Sequence, residues 1–111
     1  MRINLSPQSR DFGIEVVRSG ETLTINGEAF DFSPMADGDT LPAAAIDSIW
    51  FAGPVEKRDG ELELTLFLPL PANFSPEQAF PQPLLSVPDG IVIFPAPLPP
   101  EVEETVSKEG V

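Results

Sequence analysis

Ten of the chain's 14 prolines fall between residues 69 and 100. Proline fixes φ and has no amide hydrogen, so neither a long helix nor a central strand runs through that third of the chain. Short edge strands joined by extended, irregular segments are the form left to it. The other four, Pro7, Pro34, Pro42 and Pro54, are spread thinly over residues 1–68 and leave room for regular structure.

Where the chain is regular, its apolar residues recur every second position, the period of a half-buried strand. Ile14 to Arg18 leads to Ser19-Gly20. Leu23 and Ile25 then share a face before Asn26-Gly27, and Phe30 and Phe32 share a face after it. Asn-Gly between alternating segments is a strong hairpin signal, because both turn residues must tolerate positive φ. A three-stranded meander is therefore predicted over residues 13–33. Ser33 to Thr40 is rich in turn formers and reads as a loop. Pro42 to Asp47 suits one helical turn with proline at its start. A second hairpin, residues 55–68, turns at Asp59-Gly60. Its second strand carries Leu62, Leu64, Leu66 and Leu68 on one face and is expected to end at Pro69. Two short apolar runs, Leu84 to Val87 and Ile91 to Phe94, flank Pro88-Asp89-Gly90 and suggest a third hairpin within the proline-rich region 69–97. The sum is an all-β fold, a small antiparallel sandwich or partly open barrel, in one domain over residues 1–97. Residues 98–111 are expected to form an acidic tail, disordered or a short helix.

The absence of cysteine and histidine removes disulfides, thiolate or imidazole metal sites and histidine-based triads. The net charge of −12 with only six basic residues argues against nucleic acid as a partner. Most of that charge, −9, comes from 14 acidic and five basic side chains in residues 1–98. No apolar run is long enough to span a membrane, and residues 1–5 lack the apolar core of a secretory signal. No membrane partner and no cofactor are expected.

Asp37-Gly38-Asp39 is the most site-like cluster. Two carboxylates on a glycine loop suit calcium, but the EF-hand spacing is absent, and a solvated turn is the plainer reading. Acid–base catalysis by paired carboxylates needs only Asp and Glu, yet nothing in the spacing singles out a pair. No catalytic residue is assigned. Trp50 and Phe51 read either as core or as an exposed anchor for a partner. Phe74, Phe80 and Phe94 lie in the proline-rich third, where an apolar patch covered by another subunit or a cap on the sheet's open end would use them.

Several segments together, Met1 to Gln8, Leu23 to Pro34, Asp37-Gly38, Leu41-Pro42, Ala52 to Glu56, and Asp59-Gly60-Glu61 with its leucine-rich strand, resemble a family of small uncharacterised proteins encoded by tailed phages and prophages, typically among the tail genes. The resemblance spans residues 1–95. It carries no catalytic residue and no cofactor. It implies a non-enzymatic protein, a minor tail component or tail-assembly accessory, whose partners are other phage structural or assembly proteins, with self-association as a further option. The place it implies is the bacterial host cytoplasm, with incorporation into the virion left open. Two other readings stay open on the residues alone. One is a small carboxylate-dependent hydrolase or calcium- and carbohydrate-binding module. The other is an acidic mimic of DNA, which needs carboxylates in ordered rows.

Overall fold

The structure, a computed structural model, describes residues 1–10 and 13–98; the predicted acidic tail lies almost wholly outside them. Within these residues eight strands form two sheets. In chain order they are β1 (Arg2–Ser9), β2 (Val16–Ser19), β3 (Thr22–Ile25), β4 (Glu28–Asp31), β5 (Thr40–Leu41), β6 (Val55–Arg58), β7 (Glu61–Leu70) and β8 (Gly90–Ile91). A 3₁₀ turn covers Ala43–Ala45, and a single helical turn, α1, covers Pro76–Ala79. One sheet runs β1-β7-β6-β5 and the other β4-β3-β2-β8. This is the small all-β sandwich that period-two patterning implies.

The meander β2-β3-β4 pairs antiparallel, with Ser19 opposite Thr22 and Ile25 opposite Glu28. Its second turn holds Asn26 at φ 48° and Gly27 at φ 87°, the left-handed geometry that selects Asn-Gly in a two-residue hairpin. Asp59 and Gly60 repeat it, at φ 51° and 79°, between β6 and β7. Along β7 the four leucines 62, 64, 66 and 68 are buried while the alternate residues 61 to 67 are half-buried or exposed; Pro69 is buried as well. Leu62, Leu64 and Leu66 meet Ile3 from β1 and Val16, Leu23 and Ile25 from the other sheet in one apolar core.

Three features depart from the sequence expectation. First, β1 pairs parallel to β7 over its whole length, Arg2 opposite Glu63 through Ser9 opposite Leu70. The sandwich is thus not purely antiparallel, and residues 10–60, which hold the whole second-sheet meander, form the crossover between these two neighbours. Second, β7 continues through Pro69 to Leu70. The Phe67 N–H donates to Trp50 O, and Pro69 has the same parity, so its nitrogen faces the side on which no strand follows Trp50. Pro7 fits the same rule: Ile3 turns its backbone groups to Leu84, away from β7, and Pro7 faces that same outer edge.

Third, Leu84–Val87 and Ile91–Phe94 do not form a hairpin. Leu84 exchanges two backbone bonds with Ile3, and Val87 N–H donates to Met1 O, on the edge of the first sheet. Gly90 and Ile91 instead pair with Arg18 and Val17 on the second. The Pro88-Asp89-Gly90 turn therefore carries the chain from one sheet to the other. Val87 and Val92 are both buried on either side of it, and Ser86 at φ 52° breaks the first limb. Burying both valines in a shared core outweighs the pairing of two short segments, which alone would leave each one face in water.

Candidate interaction surface

The five aromatic candidates separate by burial. Phe51 is core: it bridges Leu66 of β7, and its ring meets Phe30 and Phe32 of the opposite sheet edge-on, at centroid distances of 5.2 and 5.9 Å. Trp50 is also buried. The Arg10 guanidinium lies 5.2 Å from the Trp50 ring centroid and 4.9 Å from that of Phe67, and a cation over an aromatic face adds attraction to packing. Neither residue is an exposed anchor, because backbone bonds on both flanks, Ala52 N–H to Thr65 O and Phe67 N–H to Trp50 O, hold their segment against β7. Phe94 is half-buried against the core. Phe74 and Phe80 are exposed, Phe80 to 82%.

The cluster at Asp37 and Asp39 serves the turn. Asp37 Oδ1 accepts from Gly60 N–H at 2.8 Å, and Asp39 Oδ2 from Ala36 N–H at 2.8 Å. Together with Gly38 N–H to Lys57 O, they tie the predicted loop to the β6–β7 hairpin and draw Thr40 and Leu41 into the sheet as β5. Among the described residues no three or more Asp or Glu side chains come together as a metal cage would need.

A cleft of about 780 Å³ opens where β7 ends, lined by Arg10, Leu68, Leu70, Phe74, Gln78 and Phe94 among others. Its wall is held by α1. The Ser75 side chain caps that turn, accepting from Gln78 N–H at 3.2 Å and donating to Ala96 O at 2.7 Å, while Ser75 N–H donates to Gln78 Oε1 at 3.1 Å. Ser75-Pro76-Glu77-Gln78 is a capping box with proline at the first helical position, a signal present in the sequence that the reading above missed. Ser75→Ala should lower the unfolding free energy by about 1–2 kcal/mol in urea titration, since it removes the N-cap acceptor of Gln78 N–H, which then keeps only Ser75 O, and leaves Ala96 O without its donor. No described residue lining this cleft is a carboxylate.

Charge is distributed unevenly. Arg2, Arg18, Lys57 and Arg58 pair with Glu63, Asp89, Glu21 and Glu56 respectively. Asp31 accepts from Ser33 N–H at 2.9 Å, and this bond, with smaller help from the hydroxyls of Ser33 and Thr22, holds its carboxyl below the ordinary aspartate value. Basic residues thus interrupt the acidic faces. From Gln78 to Leu98, by contrast, the sole charged residue is Asp89, and it is occupied by Arg18 and by Gly20 N–H. Leu85, Ile91 and Ile93 are 63%, 65% and 76% exposed on this arm, beside a shallow groove of about 270 Å³ between Pro83 and Ile93. No helix among the described residues is long and apolar enough to cross a membrane. No family model, curated protein or solved structure matches the chain.

Proposed function

We propose that the chain is a non-enzymatic protein of a tailed phage or prophage, a minor tail component or tail-assembly accessory that works by protein–protein contact in the host cytoplasm and in the assembled particle. The observation that carries the contact-based reading is the uncharged arm. An acidic domain that shows Phe80, Leu85, Ile91 and Ile93 to water along one stretch has the surface of an interface. The resemblance of residues 1–95 to tail-encoded proteins supplies the context. The interleaved ion pairs give less support to a DNA mimic, and the clefts without described carboxylates give less to a hydrolase.

An affinity-tagged copy expressed during phage induction should recover identified tail proteins, and Phe80→Asp should reduce that recovery while leaving the melting temperature within a degree or two, because the ring is not packed. Recovery of no tail protein, together with normal tails after gene deletion, overturns the reading.

A further inference from the structure

The two sheets present four edges, and three are blocked. β4 carries Glu28 and Asp31 at its ends. β5 is two residues long and follows Asp37 and Asp39. The outer edge of β1 is covered by Leu84 at Ile3 and interrupted by Pro7. Charge, shortness, proline and covering chain are the ordinary means by which sheets avoid pairing with other chains. β8 is as short as β5, but Val92 N–H carries its bonding to β2 one residue further, and from Gly90 to Phe94 the edge has no charge, no proline and no backbone partner on its outer side among the described residues.

Its hydrogen-bonding direction follows from the register. Val92 N–H donates to Val16 O, so Val92 turns its backbone groups toward β2. Backbone groups alternate sides along a strand. Ile91 and Ile93 therefore turn theirs away from the sheet, and neither has a backbone partner among the described residues. Their side chains are exposed, while Val92 is buried.

We propose that this edge pairs with the same edge of a second copy, antiparallel about a two-fold axis between the two Val92 residues, so that the sheets join as β4-β3-β2-β8 continued by its symmetry mate. In that register Ile91 of one copy lies opposite Ile93 of the other. Each such pair exchanges two N–H···O bonds, four in all, and the isoleucines of both copies make one cross-strand cluster. A second copy fits better than a foreign strand because the edge is complementary to itself. Charge agrees: each copy carries −12, and this arm is where two of them meet with no carboxylate opposed to another, Asp89 facing Pro95 across the axis.

The pairing is tested on the purified chain alone, so its failure is separate from a failure to recover tail proteins. Sedimentation over a concentration series should show twice the 12.0 kDa chain mass. The double variant I91K/I93K should raise the dissociation constant more than about a hundredfold while keeping the wild-type circular dichroism. The register is read by crosslinking, because the chain has no cysteine of its own. An oxidised equimolar mixture of I91C and I93C should crosslink far more readily than either alone: directly opposed residues are about 5.5 Å apart at Cα, within disulfide reach, and the like-numbered pairs are about 7–8 Å apart. A monomer at all concentrations overturns the proposal, as does a dimer unaffected by I91K/I93K or one in which the mixture shows no preference.

Discussion

Phe51→Ala is expected to lower the unfolding free energy by about 3–5 kcal/mol, against the roughly 5–15 kcal/mol a domain commonly has. Three losses coincide. The ring leaves a cavity in a core that cannot collapse around it, since Phe51 sits between Leu66 of one sheet and Phe30 and Phe32 of the other. Both edge-on ring contacts vanish, each worth roughly 0.5–1.5 kcal/mol beyond area. Arg10 also keeps its place over Trp50 only while residues 50–52 stay on β7. Urea titration followed by the fluorescence of the single tryptophan measures the change, with the slope against denaturant preserved. Phe80→Ala is the matched control: its ring is in water, and its effect should lie within about 0.5 kcal/mol. Equal effects at the two positions would contradict the assignment of Phe51 to the core.

Deleting residues 2–9 should abolish cooperative folding altogether. β7 is the longest strand, and β1 is its neighbour along all eight positions from Arg2 opposite Glu63 to Ser9 opposite Leu70. Without β1, ten residues of leucine-rich strand present an open edge, Ile3 is lost from the centre of the core, and Leu84 has nothing to pair with. The expected readout is a melt with no transition and a sharp rise in aggregation at low concentration. Pro7→Ala, which changes the same strand on its unpaired side, should leave a normal transition. A truncated chain that melts like the full one would show that β1 is an ornament on a sheet complete without it.

Local pairings were legible because their signals are local. Asn26-Gly27 and Asp59-Gly60 each demand positive φ at two neighbouring positions, and the leucines of β7 name their buried face without reference to anything distant. The parallel pairing of β1 was not legible, since its partner lies about sixty residues away and no turn announces it. The supposed third hairpin failed for a related reason. Leu84 and Ile91 have the right spacing around Pro88-Asp89-Gly90, but each is claimed by a strand from the other half of the chain. Of the site candidates, Phe80 and Phe74 were legible as exposed because prolines prevent tight packing around them. Trp50 and Phe51 have the same composition as an anchor, and only Phe30, Phe32 and Arg10 decide otherwise. The unprotected edge at Ile91 and Ile93 could not be read from residue types, because it depends on which parity faces β2.

The long crossover between β1 and β7 also sets a timetable for the growing chain. The meander β2-β3-β4 can zip as soon as it leaves the ribosome, since its contacts are close in sequence. β1 is made before β7 and finds its neighbour only about sixty residues later, which at roughly 5–20 residues per second is a wait of about 3–12 seconds. During that wait β1 is made before its partner yet is the last to be placed in its sheet, and Pro7, with no N–H to donate, among the polar Ser6, Gln8 and Ser9 keeps it from pairing with other nascent chains.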